Sequence, residues 1–313
     1  MTYVIETIDL TKKFEEIIAV NNITMNIKGG QIVGLVGPNG AGKTTLFRIL
    51  TGSIKPTNGT ARINGWDVQA EGVKARRSLG YISEENSVYP TDMRGDKFVR
   101  YIAELKGLSR EEAKRESYLT LKYVDMEQFA QRKIGTMSRG MKQRIGIAQA
   151  LIGNPSILIA DEPLAFLDPI GKQGIKTLLQ QLVKEEKHTI FISSHILTEV
   201  EALVEDVGIL YKGKIVSFGQ IDDLLKSACK VFFADVDKLE VVKKELINLP
   251  SIEKVVVGDD GLYITTNDPE VLLKELPRII ASKNAALRTF QPIYDSLEKY
   301  FLTVINSEEG NSD

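Results

Sequence analysis

The sequence predicts an α/β domain followed by a smaller α+β domain, and three observations lead there. Through about residue 225, short apolar runs that end in polar residues alternate with stretches of helical composition, the order of a sheet covered by helices. A glycine-rich turn joins one such run, Gln31 to Val36, to a helical stretch, Lys43 to Leu50. Beyond Leu225 to Lys230 the pattern restarts, and six segments read β-α-β-β-α-β, the order of a ferredoxin-like split fold. The expected domains are therefore 1–226 and 227–306.

Gln31 to Val36, Ser156 to Ala160 and Thr189 to Ile192 are short and mainly apolar, as strands of a parallel sheet buried on both faces must be. Asp92 to Tyr123 is charged and helical, with Ala103, Leu105, Leu108, Ala113, Leu119 and Leu121 as its apolar positions. It belongs to a stretch, about 86–155, that reads as a helical subdomain outside the sheet. In the second domain Val231 to Val236 reads as a strand and Lys238 to Ile247 as a helix. Strands Ile252 to Val257 and Leu262 to Thr266 flank the turn Gly258-Asp259-Asp260-Gly261. A helix Glu270 to Ala281 follows Pro269, then a last strand Leu287 to Phe290 and a closing helix Tyr294 to Ile305. The polar, acidic residues 307–313 are expected to form a disordered tail.

Bulk properties narrow the function classes. The 313 residues are 43% hydrophobic and 26% charged, ordinary for a globular protein with a full core. A net charge of -2 gives no overall attraction to nucleic acid or an anionic surface, and no nucleic-acid partner is expected. The single cysteine, Cys229, rules out an internal disulfide or a cysteine-rich metal cage and suits the reducing cytosol. Met1 to Glu6 lacks the basic-then-apolar pattern of a secretory signal, and no run of about twenty apolar residues occurs. Work at a membrane would require a different chain to cross it.

The turn Gly37-Pro38-Asn39-Gly40-Ala41-Gly42-Lys43-Thr44 fits G-x-x-x-x-G-K-[ST] and lies where that motif functions, between a strand and a helix. Its glycines let backbone N–H groups converge on phosphate oxygens, and the following helix adds the positive end of its dipole. Lys43 supplies a point charge for β- and γ-phosphates, and the Thr44 hydroxyl is placed to ligate Mg²⁺.

Two acids close the run Ile157-Leu158-Ile159-Ala160-Asp161-Glu162. Carboxylates at the end of a buried strand need a cation or donors. Facing a phosphate cradle, Asp161 reads as a metal holder and Glu162 as the general base that polarises a water. His195, after Thr189-Ile190-Phe191-Ile192-Ser193-Ser194, ends another strand, from which it can donate to a γ-phosphate. His188 has no such context and reads as a surface residue.

The segment Met137-Ser138-Arg139-Gly140-Met141-Lys142-Gln143-Arg144 makes the chain resemble the ATP-binding cassette (ABC) ATPases, whose signature is Leu-Ser-Gly-Gly-Gln. Ser138 and Gly140 stand at matching places, and Ser138 also reads as a helix N-cap. Leu167-Asp168-Pro169 resembles the family's D-loop, and Gly80 through Glu85 the loop joining the catalytic core to the helical subdomain. Phe14 matches the aromatic that stacks on adenine, although a buried phenylalanine is the competing reading.

This resemblance covers Thr2 to about Leu225. It implies a P-loop NTPase fold with a mixed-sheet core, an antiparallel β subdomain and a helical subdomain. It further implies that residues 37–45, Thr45 included, bind ATP, that Thr44, Asp161 and Glu84 serve Mg²⁺, and that Glu162 and His195 are catalytic. Ser138 and Gly140 of one copy would cover the nucleotide of another, with Asp168 contacting the partner. The implied assembly is a homodimer, or a dimer with a related subunit, peripheral on the cytoplasmic face of the membrane and joined to a multi-spanning permease.

Three residues depart from the family: Glu84 stands for the loop's usual glutamine, Arg139 for a glycine and Met141 for the signature's glutamine. These substitutions, and the ending Ser296-Leu297-Glu298-Lys299-Tyr300-Phe301, resemble a branch serving exporters, whose accessory domains regulate or strengthen dimerisation. A plain packing appendage is the alternative for the second domain. A soluble ABC ATPase acting on ribosomes or DNA, and a low-turnover nucleotide-dependent scaffold, are the rival functions.

Overall fold

Alternating buried and exposed side chains build an antiparallel sheet from the first two strands, β1 (Tyr3–Phe14) and β2 (Ile17–Lys28), with β4 (Asn58–Ile63) and β5 (Trp66–Asp67) beside them in the order β2-β1-β4-β5. The computed structural model describes residues 3–84, 89–228, 231–258, 260–293 and 297–310. Within them the chain forms two compact units, one on residues up to Gly219 with which the last turn of the chain, from Glu308, is grouped, and one on Gln220–Ser307.

The core sheet of the first unit comprises β3 (Ile32–Val36), β6 (Leu79–Ile82), β7 (Ile157–Ala160), β8 (Thr189–Ser194), β9 (Asp206–Tyr211) and β10 (Lys214–Gln220), in the order β10-β9-β3-β8-β7-β6. Strands β3 and β6 to β9 run parallel, and β3, β7 and β8 are buried at every residue. Their continuous apolar composition is thus the signature of a sheet covered on both faces. Because β3, β8 and β7 are neighbours, their C-terminal ends open at one edge, where α/β sheets place ligands. Helix α1 (Lys43–Leu50) packs there through Phe47, whose ring lies 5.0 Å from that of Phe191. A short α2 (Gly72–Arg77) precedes β6.

The stretch expected to be a helical subdomain contains α3 (Gly95–Leu105), α4 (Arg110–Tyr123) and α5 (Arg139–Leu151). Gly107, at φ 93°, follows the end of α3, and Ser109 starts α4 with a capping box to Glu112. Of the apolar positions in this stretch, Leu105 and Leu119 are 64% and 54% exposed. On α4 the buried stripe is Ala113, Ser117 and Leu121, spaced by four, and Leu119 falls off it. Helices α6 (Pro169–Lys184) and α7 (Leu197–Glu201) complete this unit.

His188, expected at the surface, is buried at the start of β8, its Nδ1 2.6 Å from the Pro155 carbonyl oxygen. The loss of water around the ring pulls its pKa below the ordinary histidine value. A histidine depressed in the folded state binds its proton more readily when unfolded, so its contribution is complete above the unfolded pKa and is lost as pH falls through about 6.5. The melting temperature is expected to drop between pH 7.5 and pH 5.5, and His188→Gln to flatten that slope, as thermal denaturation at the two pH values will report.

The second unit carries α8 (Ile221–Ala228), β11 (Val231–Val236), α9 (Leu239–Ile247), β12 (Ile252–Val257), β13 (Leu262–Thr266), α10 (Pro269–Ser282), β14 (Leu287–Ile293) and α11 (Leu297–Gly310). Its sheet is antiparallel in the order β12-β13-β11-β14, the split arrangement of ferredoxin-like folds. Phe232, Ala234 and Val236 on one face of β11 meet Val242 and Leu246 of α9 and Leu272 and Leu276 of α10 in its core.

Two boundaries differ from expectation. The units divide after Gly219 rather than after 226, because the compositional break at Leu225 to Lys230 marks the end of α8, and that helix groups with β11 and the rest of the second unit. The acidic tail is helical through Gly310 as a continuation of α11, while 311–313 lie outside the described residues. Cys229, Glu85 and Asp259 also lie outside them.

Candidate active site

Strand β3 ends at Val36 and α1 begins at Lys43, so the glycine-rich turn must reverse the chain in the residues between. A side chain on Gly37 would place its Cβ 2.2 Å from the Leu210 carbonyl oxygen, and one on Gly42 would come within 2.1 Å of that of Ala19. Gly42 also sits at φ 111°, in the left-handed region, so both positions exclude any larger residue. Helix α1 starts at Gly42 without a side-chain cap, which leaves the N–H groups of its first turn and the dipole's positive end facing the loop. Lys43 is buried, and its Nζ donates to the carbonyl oxygens of Gly37, at 2.7 Å, and Pro38, at 3.3 Å. Those bonds hold the ammonium under the loop.

The loop walls a cavity of about 390 Å³ lined by Asn39 through Thr45, with Ala19, Glu84, Glu162, Phe166 and His195. Glu162 is buried, and its carboxylate lies 3.7 Å from Lys43 Nζ and 3.0 Å from His195 Nδ1. Its backbone takes φ 45°, which a residue with a side chain adopts only under constraint. Asp161, 2% exposed, accepts a 2.6 Å hydrogen bond from Ser193 Oγ on β8 and a 3.5 Å contact from the Tyr81 hydroxyl on β6. Burial, and then the Asp161 charge, push the Tyr81 phenol up to about 12, so it stays a donor across physiological pH.

Three comparisons bear on this constellation. The family profile described as ABC transporter matches residues 20–165. The bacitracin transport ATP-binding protein BcrA of Bacillus licheniformis is 35% identical over 97% of this chain and 98% of its own length. The chain belongs to the ABC transporter ATP-binding family. The linearmycin resistance ATP-binding protein LnrL of Bacillus subtilis (strain 168) is 33% identical, covering 69% of each chain. Among solved structures, a dimeric ATP-binding cassette in a post-hydrolysis state, bound to ADP and Pi, matches with a TM-score of 0.63 and 29% identity. That match covers 69% of this chain and 98% of the other. The protein is accordingly an ATP-binding, ATP-hydrolysing cassette of the ABC type.

The cassette brings together most of the residues anticipated from sequence, but not all in one place. Gly37 and Pro38 hold Lys43 rather than line the cavity. Ser138 caps α5, accepting from the Met141 N–H at 3.2 Å, and Asp168 caps α6, accepting from Gly171 N–H at 2.6 Å; neither lines the cavity. At Gly140 an added Cβ would meet open space. Phe14 is 45% exposed, with Lys12 Nζ 4.8 Å from its ring centroid, which removes the buried-core reading for that aromatic.

Four contributors escaped the sequence reading: Ala19, Tyr81, Ser193 and Phe166. Phe166 is the unexpected one. It is exposed at φ 61° on the cavity rim, with the Arg139 guanidinium 5.2 Å from its ring centroid. No local pattern in Leu164-Ala165-Phe166-Leu167 announces a left-handed phenylalanine.

Proposed function

We propose that this chain is the ATP-driven subunit of an exporter for antibiotic-like compounds, working as a dimer on the cytoplasmic face of a membrane with a separate multi-spanning permease. The observation that carries the reading is the meeting of Lys43, Glu162 and His195 in one cavity at the glycine loop. Relatives named for bacitracin transport and linearmycin resistance support the compound class. Among the described residues no helix is long and apolar enough to cross a membrane, in keeping with a separate permease.

ATP enters with its β- and γ-phosphates against Lys43 and the uncapped first turn of α1. Phe14 stacks on the adenine, and Thr45 adds a hydroxyl at the cavity wall. Thr44, on the cavity wall, and Asp161, which precedes the lining Glu162 in the chain without lining the cavity itself, are the residues that would hold Mg²⁺, with Glu84 a further carboxylate on the wall. The site fits such an ion: the buried Asp161 carboxylate meets the neutral hydroxyls of Ser193 and Tyr81, which give hydrogen bonds but leave its charge uncompensated. Among the described residues no trio of His, Cys, Asp or Glu forms a cage of its own, so phosphates and water would complete the shell, as Mg²⁺ prefers. When bound, the ion neutralises charge on the phosphate oxygens.

Glu162 accepts a proton from water as the water oxygen attacks the γ-phosphorus, and the bond from that phosphorus to the bridging oxygen breaks, releasing ADP and phosphate. His195 lies with Nδ1 3.0 Å from Glu162, and as the doubly protonated ring it donates from Nδ1 to that carboxylate and from Nε2 to the γ-phosphate. Ser138, Gly140 and the start of α5 cover the nucleotide of the other copy, an identical or related subunit, and Asp168 faces that copy. ATP thereby favours the closed dimer, and hydrolysis releases it.

A groove between α2, α3 and α5 suits the permease. It encloses about 870 Å³ and is lined by Val73, Arg76, Arg77, Leu105 and Gln149 among others. Val73 and Leu105 are each 64% exposed. Gln149 Nε2 donates to the Tyr81 carbonyl oxygen at 3.0 Å, linking the groove wall to the strand that leads to Glu84. Tagged protein captured from native membranes in mild detergent with ATP is expected to bring a multi-spanning protein in stoichiometric amount. Leu105→Glu should lose that partner and keep the ATPase activity of the isolated chain. Ribosomal proteins or nucleic acid in its place would overturn the transporter reading.

A further inference from the structure

Strands β6, β7 and β8 lie side by side and parallel, and a polar side chain from each converges at their C-terminal ends. Asp161 follows β7, Ser193 belongs to β8 and Tyr81 to β6. The register pairs Ala160 with Ile192, which sets Ser193 beside Asp161. Ser193 has no exposed surface. Its Oγ donates to Asp161 Oδ1 at 2.6 Å and accepts from the Glu162 N–H at 2.9 Å. A hydroxyl has one proton, and a carboxylate takes it here, so the amide bond must use an oxygen lone pair. One side chain thus holds the carboxylate of the first acid and the backbone of the second.

We propose that Ser193 is a positioning residue for hydrolysis: it fixes the carboxylate rotamer that Asp161 presents to the divalent cation and anchors the left-handed backbone from which Glu162 acts. The inference rests on reading Asp161 as the metal holder and Glu162 as the base. Tyr81 is the second, weaker clasp on Asp161, its hydroxyl 3.5 Å from Oδ2. Each carboxylate oxygen then has one protein donor and keeps lone-pair directions for the ion. Without Ser193 Oγ, the Glu162 N–H would be left unpaired in a buried site, where backbone strain needs an anchor to persist.

The test measures Mn²⁺ binding to the ADP-loaded full-length protein by electron paramagnetic resonance of the free ion, with ADP affinity in excess chelator and steady-state ATP hydrolysis alongside. Partners of metal ligands typically contribute about 10- to 100-fold in metal affinity or rate, so Ser193→Ala should weaken Mn²⁺ by about that factor and lower kcat. Metal-free ADP affinity should stay at the wild-type value, and Ser193→Thr, which keeps the hydroxyl, should restore Mn²⁺ binding.

Undiminished Mn²⁺ affinity in Ser193→Ala, beside a loss in Asp161→Asn, overturns the inference and leaves the site reading intact. Undiminished affinity in Asp161→Asn overturns the site reading itself. A loss in Ser193→Ala that Ser193→Thr fails to restore assigns the serine to packing and overturns the inference as well. Should Ser193→Ala not fold, Tyr81→Phe decides: a smaller loss of Mn²⁺ affinity supports the two-clasp arrangement, and none overturns it.

Discussion

Glu162→Gln is expected to slow steady-state ATP hydrolysis about 10²- to 10⁴-fold, the range that a positioned general base contributes, while ATP still binds. The amide keeps the shape of the side chain and can still meet Lys43 and His195, which now sit 3.7 Å and 3.0 Å from its oxygens, but it cannot take a proton. With binding intact and release blocked, ATP should accumulate a closed dimer, visible as a doubled mass by size-exclusion chromatography with light scattering. An unchanged rate would remove Glu162 from the chemistry.

Lys43→Ala is expected to fail earlier, at binding. The substitution removes a buried ammonium whose hydrogen bonds to phosphate oxygens are of the charged kind, about 1.5–3 kcal/mol each. At 1.4 kcal/mol per factor of ten, loss of even one weakens nucleotide affinity about 10- to 100-fold. The free protein suffers too, because the Gly37 and Pro38 carbonyls lose their donor and buried Glu162 its nearest cation. Calorimetric titration with ATP and a melting curve should therefore both shift. Wild-type affinity in this variant would mean that backbone N–H groups and the α1 dipole bind phosphate unaided.

Local patterns in the sequence were reliable where local chemistry decides the structure. Lys43 to Leu50, Val231 to Val236, Ile252 to Val257 and Leu262 to Thr266 occupy the spans expected of them, because periodicity, glycine turns and strand composition act over a few residues. The acids after β7 and His195 after β8 were legible for the same reason: polar residues that end apolar strands stand out.

Long-range features were not legible. Ser193 touches Asp161 only because β7 and β8 pair in one particular register, which no local string encodes. His188 was misread because its partner is a carbonyl 33 positions away, at Pro155. Composition marks Leu105 and Leu119 as apolar but does not say which apolar positions are buried, because the buried stripe is chosen by what α3 and α4 pack against. The break in pattern at Leu225 to Lys230 was visible, but not the helix Ile221–Ala228 before it nor the unit with which that helix groups.

The strand order of the second unit has a consequence for synthesis. Its first strand, β11, lies inside the sheet, between β13 and the last strand, β14. Val231 pairs with Ile293 and Phe233 with Gln291, contacts that span nearly the whole unit. Until the ribosome has released Leu287–Ile293, β11 keeps one edge of open N–H and carbonyl groups, the kind of edge that recruits other chains. Closing so distant a pair is slow in principle, since the loop entropy is lost before the contacts form. A premature stop a few codons before Leu287 would therefore do more than shorten the protein: it would leave a nearly complete unit with an open, adhesive edge.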